Sequence, residues 1–318
     1  MTAEAAIPVI DIAPLLDGRP DGETAVARAL GRACRDIGFF YVTGHGIPPP
    51  VLAAVFEQAH RFFAASDAVK SAVNFTGAAG NRGHVPVGGE TLQPGTLPDL
   101  KEFFNIGLEL APDDPELRAG KPFRHRNPWP DQAGFRDTML DYFGRAHRLG
   151  LALHRALARD LGIARTFFDD KLSKPMAVLR LLHYPPAPTA SQPGQLGAGE
   201  HTDYGNLTLL ATDGVKGLTV RNRAGTWIEA PTVPGALICN IGDCLMRWTN
   251  DVYVSTPHRV VSPRGCDRYS VVFFLDPNPE AVVTCLPTCL EGGLAKYAPV
   301  VASDYLLSRL APTYEKGP

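Results

Sequence analysis

No window of this chain approaches the roughly 20 consecutive apolar residues that a helix needs to cross a bilayer. Charge of one sign is also missing: 31 basic residues face 33 acidic ones, a net charge of −2, with no basic stripe. That balance argues against a nucleic-acid or anionic-membrane partner. Paired cysteine spacing is absent as well. Cys34, Cys239, Cys244, Cys266, Cys285 and Cys289 are scattered, and Cys285-x-x-x-Cys289 has no second pair to complete a structural zinc knuckle. Reduced thiols in a cytoplasmic protein are the expectation. Met1 to Leu16 has no basic leader-type segment, and Asp11 interrupts its apolar stretch. No repeat, low-complexity tract or coiled-coil pattern is visible, so nothing here sets an oligomeric state.

What is present begins with apolar content of 45% over 318 residues, enough for a sizeable core. Ile7–Ile12 alternates as a strand, Glu23–Ile37 reads as an amphipathic helix, and Gly38–Val42 as a short buried strand. A second helix follows the prolines at 48–50 and runs to about 64. Residues 76–98 are rich in Gly and Pro and suit a long surface or active-site loop. Gln132–Leu161 carries the longest helical pattern, with Met139, Phe143, Ala146, Gly150, Leu153, Leu157 and Leu161 at steps of three or four. Beyond Met176 the texture changes to short strands at 176–184, 206–212, 217–221, 227–230, 236–240, 252–256, 258–261 and 268–275. That spacing predicts a mainly β fold with supporting helices, a sandwich or jelly roll and not a βαβ sheet. An N-terminal helical and strand region (1–120) is expected to buttress a β-rich core with its scaffold helix (121–318), the two forming one structural unit.

The chemistry lies in His201-Thr202-Asp203, then Pro257-His258, then Arg268-Tyr269-Ser270. On an extended segment, residues i and i+2 point to one face, so His201 and Asp203 can reach one metal ion. His258 supplies a third donor. Two neutral imidazoles and a carboxylate form the facial set that leaves coordination positions open on non-haem Fe(II). A lone buried histidine is more often a hydrogen-bonded core residue, by roughly three to one; the ordered set lifts these above that prior. Zinc is the rival metal, but no glutamate is placed as general base, since Glu200 should face away from His201. Arg268 and Ser270 share a face and offer a cation and a hydroxyl to a carboxylate. The bland alternative for Arg268 is a surface ion pair with Asp267.

These segments resemble the Fe(II)/2-oxoglutarate-dependent oxygenases, in particular the isopenicillin N synthase-like family. The likeness runs in order through Ile7-Pro8-Val9-Ile10-Asp11, Gly44-His45-Gly46, Leu179–Pro186, Gly199–Asp203, Asn240-Ile241-Gly242-Asp243, Ser255–Val260 and Arg268–Val271. It implies a double-stranded β-helix (jelly roll) with iron held inside one end by His201, Asp203 and His258. It further implies that Arg268 and Ser270 bind the distal carboxylate of the co-substrate and that Tyr184 hydrogen-bonds it. Many relatives have an asparagine where this chain has Leu182. His183 is expected to face away from Tyr184 as a structural histidine.

The implied reaction consumes Fe(II)-activated O2 and 2-oxoglutarate, releases succinate and CO2, and oxidises a small organic substrate, hydroxylation being the commonest outcome. Two other readings stay open: a same-fold Fe(II) oxidase that uses no 2-oxoglutarate, and a non-catalytic 2-oxoglutarate/iron-sensing protein. Val260, Val272 and Phe274 are expected to wall the site, or simply to pack the core. Arg180 is read as an internal salt bridge more readily than as a substrate lure. Candidate substrate contacts are Arg82, His84, Glu90 and the stretch Asp99–Phe104, with a C-terminal helix near 303–310 as a lid.

Overall fold

The computed structural model describes residues 7–187 and 194–314. The chain opens with β1 (Val9–Asp11), α1 (Ala13–Leu16), α2 (Pro20–Asp36), β2 (Phe39–Thr43), α3 (Pro49–Phe63) and α4 (Asp67–Ser71). Next come β3 (Gly83–Val85), β4 (Glu102–Gly107), α5 (Pro115–Arg118), the 26-residue α6 (Phe135–Asp160) and β5 (Val178–Tyr184). The β-rich part then holds β6 (Ala198–His201), β7 (Leu207–Thr212), β8 (Leu218–Arg221), β9 (Trp227–Glu229) and β10 (Leu237–Ile241). The chain continues through α7 (Asp243–Trp248), β11 (His258–Val260), β12 (Arg268–Leu275), β13 (Val282–Val283), β14 (Val300–Val301) and α8 (Ala302–Tyr314).

Eight strands form one sheet in the order β1-β2-β10-β7-β12-β5-β4-β3, and four form a second in the order β6-β11-β8-β9. Every pairing in both is antiparallel except β1 with β2. The large sheet is buried on both faces, which explains why β5 and β12 read as nearly unbroken apolar runs. Strand alternation divides them. Leu179, Leu181, Val271 and Phe273 join the core against α6, where Phe143 meets Phe273 edge-on at 5.0 Å. Leu182, Tyr184 and Val272 join a second apolar cluster with Val220 and Val260 of the small sheet. The rolled interior between the two sheets is thus a separate compartment, as a jelly roll requires.

Helices α2, α3, α6 and α8 and most strands lie where the sequence places them, whereas the short helices α1, α4, α5 and α7 have no counterpart there. Residues 252–256 are an exception. Asn250 and Asp251 adopt left-handed backbone (φ 53° and 67°) after α7. The segment beyond sends its hydrogen bonds to the end of α2, from Val254 N to Cys34 O and Thr256 Oγ1 to Ile37 O, and not to a sheet. Strands β3, β4, β13 and β14 have no counterpart in the sequence pattern, and β6 has one only in the extended segment expected at His201. Polar Glu102 and Asn105 within β4, beside a Gly/Pro-rich stretch, disguise a strand whose six residues are all buried.

Candidate metal and co-substrate site

His201 ends β6 and His258 begins β11, and the two residues are direct partners in the antiparallel register. That pairing places their rings 4.3 Å apart, centroid to centroid. Asp203 lies just past the end of β6, and its Oδ1 sits 3.9 Å from His201 Nε2 and 3.6 Å from His258 Nε2. Among the described residues this is the group of three or more donor side chains close enough to share one metal ion.

Both imidazoles are held from behind. His201 Nδ1 donates to Gly199 O (2.7 Å) and His258 Nδ1 to Thr256 O (3.1 Å). This fixes the tautomers and turns both Nε2 lone pairs toward Asp203. Asp203 Oδ2 accepts from Thr208 Oγ1 (2.5 Å) and Asn240 Nδ2 (2.6 Å), so only Oδ1 faces the histidines. Burial holds His201 well below the usual histidine range, and His258 beside it adds to the shift, which keeps the ring neutral and able to bind a metal. Burial alone would raise Asp203, but the adjacent imidazoles and its two hydrogen bonds bring it below its ordinary value.

Asp243 braces the surroundings. It accepts from Thr202 Oγ1 (3.2 Å), Ser255 Oγ (2.7 Å) and Tyr305 Oη (3.0 Å), and its own amide donates to Asp203 O (2.7 Å). The preceding Gly242 is required by crowding: a Cβ there would lie 2.3 Å from Gly205 O. Sequence reasoning assigned no role to Thr208, Asn240 or Asp243. Asn240 and Thr208 are register partners on β10 and β7, a proximity that sequence spacing does not display.

A cavity of about 560 Å³ connects this cluster to the interior face of the large sheet. Arg268, Ser270 and Tyr184 all line it, as do Leu182, Val260, Val272 and Phe274. The register Arg268↔Tyr184 and Ser270↔Leu182 puts these side chains on one face. Arg268 is 1% exposed. Its Nε donates to Val215 O (3.1 Å) and its guanidinium carbon lies 4.8 Å from the Tyr184 ring centroid, but Nη1 is buried with no hydrogen-bond partner. The ion pair with Asp267 does not form, because Asp267 bonds His183 Nε2 instead (2.7 Å). A buried guanidinium without a carboxylate is costly, and its fork suits a carboxylate guest.

A second chamber of about 530 Å³ lies on the other side of the cluster. It shares His201, Asp203, Arg180, Leu92 and Phe274 with the first, and Leu306 and Leu310 of α8 line it. The C-terminal helix therefore forms part of this chamber's wall. Arg180 is the internal salt bridge, donating to Glu90 (3.3 Å), Asn105 Oδ1 (2.8 Å) and Tyr314 Oη (3.3 Å). The loop candidates divide. Glu90 and Lys101 reach the chambers. Arg82 is buried among backbone carbonyls of Gly80, Asn81 and Phe123, while His84 and Glu102 bond each other (2.8 Å) elsewhere. Phe104 packs against Phe62 and Phe135 in the main core.

Comparison with known proteins agrees with this geometry. Residues 7–132 match the family described as non-haem dioxygenase in morphine synthesis N-terminal, and residues 175–277 match the 2OG-Fe(II) oxygenase superfamily. The chain is 34% identical to the 2-oxoglutarate-Fe(II) type oxidoreductase hxnY of Emericella nidulans, covering 98% of this chain and 91% of that one. It is 37% identical to the homoarginine-6-hydroxylase 2-ODD-C23 of Glycine max over 89% of each chain. A full-length Neurospora crassa protein, solved in complex with alpha-KG and thymine, superposes with a TM-score of 0.87 at 33% identity, over 99% of both chains. Here two histidines, an aspartate and a lone guanidinium share a rolled sheet, and the chain belongs to the 2-oxoglutarate/Fe(II) oxygenases. It is a dioxygenase that uses Fe(II), 2-oxoglutarate and O2.

Proposed function

We propose that His201, Asp203 and His258 hold the iron, that Arg268, Ser270 and Tyr184 seat 2-oxoglutarate, and that the enzyme hydroxylates a small organic molecule bound in the chamber beneath α8. The observation that carries this reading is the Arg268 guanidinium, with Nη1 buried and unbonded and no carboxylate beside it, in the same cavity as the three-donor cluster. It favours a 2-oxoglutarate enzyme over an oxidase that needs no such anchor.

When bound, ferrous iron supplies electrons to O2 while 2-oxoglutarate is oxidised to succinate and CO2. The protein's own part is positioning. Gly199 and Thr256 carbonyls orient the imidazoles, and Thr208 and Asn240 occupy Asp203 Oδ2, so the carboxylate offers one oxygen and leaves room for other ligands. Arg268 and Ser270 would grip the far carboxylate of the co-substrate through charge-assisted hydrogen bonds. Leu182, Val260, Val272 and Phe274 exclude water from the reacting atoms.

The relatives named above include a homoarginine hydroxylase and a protein solved with thymine, which supports a compact nitrogen-containing substrate. We read residues 1–120 and 121–318 as one structural unit, because β1 to β4 share the large sheet with the later strands. A cytoplasmic location is supported by six free cysteines; no helix among the described residues is long and apolar enough to cross a membrane. The test is release of labelled CO2 from 2-oxoglutarate with Fe(II), alone and with candidate substrates, beside succinate formation. Product formed with no CO2 release would replace this reading with the oxidase. Tight 2-oxoglutarate binding with no turnover across a broad screen would favour the sensor.

A further inference from the structure

Asp276 follows β12 directly and lines the chamber under α8. It is 6% exposed, yet its carboxylate makes no hydrogen bond or ion pair with any described residue. Its carboxylate packs closely on the Gly205 backbone, where a Cβ would fall 1.5 Å from Asp276 Oδ1 and push the carboxylate aside.

The cation that lines the chamber, Arg180, and those near it are already engaged. Arg180 is bonded to Glu90, Asn105 and Tyr314, and Lys101 to Glu90 (2.8 Å) and Asp99. Arg309, over the Tyr204 ring at 4.8 Å, lies 3.8 Å from Asp243. Three carboxylates, of Glu90, Asp203 and Asp276, therefore border the chamber against the single cation Arg180. Glu90 is paired and Asp203 belongs to the three-donor cluster, which leaves Asp276 as the carboxyl group with no hydrogen-bond or ion-pair partner among the described residues. A buried, unpaired carboxylate is costly and strongly favours a cationic hydrogen-bond donor. Around it Phe274, Tyr204, Leu306 and Leu310 offer an apolar wall suited to a hydrocarbon stem.

We infer that Asp276 is a specificity-determining residue that binds a basic nitrogen, an ammonium or guanidinium group, carried on the hydrocarbon body of the primary substrate. This deepens the oxygenase reading and rests on it. An acidic substrate would meet repulsion from Asp276 and Glu90, and a neutral isostere would leave the carboxylate unpaired.

The experiment uses the full chain loaded anaerobically with Fe(II) and 2-oxoglutarate, titrated calorimetrically with L-arginine, L-homoarginine, L-lysine, agmatine and the uncharged isostere L-citrulline. At least one cation should bind at least about 10-fold more tightly than citrulline, the range expected for a charge-assisted contact. Asp276→Asn should abolish that preference. It should also raise the melting temperature of the unliganded protein at mildly alkaline pH, where the carboxyl is ionised, because it removes a desolvated charge and keeps the shape. A purely structural carboxylate would instead lower the melting temperature on substitution. No cation binding better than citrulline, or an Asp276→Asn protein that retains the preference, would overturn the assignment. Titration of 2-oxoglutarate into the Fe(II) protein is read separately: its failure sinks the oxygenase reading, while its success with no cation preference sinks only the role of Asp276.

Discussion

His183 of β5 and Arg268 of β12 are basic side chains on opposite faces of the large sheet, and their fates differ. On the outer face His183 is bonded on both sides, Nδ1 to Glu102 Oε1 (2.8 Å) and Nε2 to Asp267 Oδ1 (2.7 Å), and it stacks on Tyr269 at 4.7 Å. On the inner face Arg268 has a carbonyl and an aromatic ring but no carboxylate. The two positions are diagonal neighbours on one ladder, since Arg268 pairs with Tyr184 and His183 with Tyr269, so strand alternation sends them to opposite faces. A satisfied network stiffens a fold, whereas an unsatisfied one is retained because something else completes it. The same criterion separates Arg180, which is fully engaged, from Asp276, which is not.

The widest gap should open at the iron cluster. Replacing His201, Asp203 or His258 with alanine is expected to abolish stoichiometric Fe(II) binding and lower CO2 release by about 1,000-fold or more, the scale of losing an essential group; metal analysis beside the turnover assay checks both. Next is the inner cation. Arg268→Ala should raise the 2-oxoglutarate concentration for half-maximal rate by about 10- to 100-fold, the loss of a charge-assisted pair, with Fe(II) binding kept. An unchanged requirement would break the comparison. Tyr184→Phe should cost less, about 2- to 10-fold in the same quantity, as for one neutral hydrogen bond.

The outer cation should respond in stability instead. His183→Gln is expected to lower unfolding free energy by about 1–3 kcal/mol through the carboxylates it leaves unpaired, with the 2-oxoglutarate requirement unaltered. Burial works against charge on His183, but Glu102 and Asp267 raise its pKa above the ordinary 6.5. A raised folded-state pKa binds protons more tightly than the unfolded chain does. The stabilisation is therefore complete below pH 6.5 and fades as pH climbs through the folded value. Denaturant titrations of both proteins across that window should show their difference shrinking with rising pH.

The residues proposed to hold the metal and co-substrate were legible because their types, order and i, i+2 spacing are local properties. The fold was legible in the run of short strands between turns beyond Met176, although β5 and β12 themselves read as nearly unbroken apolar runs. What stayed hidden depends on register. Glu102 looked like a substrate contact until its pairing opposite His183 placed it on the outer face. Thr208 and Asn240 approach Asp203 only because β7 and β10 are neighbours. Arg82 looked like a loop cation, yet burial against carbonyls has pulled its pKa down to about 9. Asp276 drew no notice, for a single acid after a strand has no distinguishing pattern; burial pushes it up to about 7, with Asp203 adding to the shift.

Asp243 ties together stretches of chain that are far apart in sequence: the turn between the first histidine and the aspartate, the approach to the second histidine, and α8 through Tyr305. Tail and iron cluster are consequently wired to one carboxylate. Cutting the polypeptide before Ala302 would do more than unroof a chamber. It would leave that carboxylate searching for a new donor, and the disturbance would travel to the very loops on which the ligands ride.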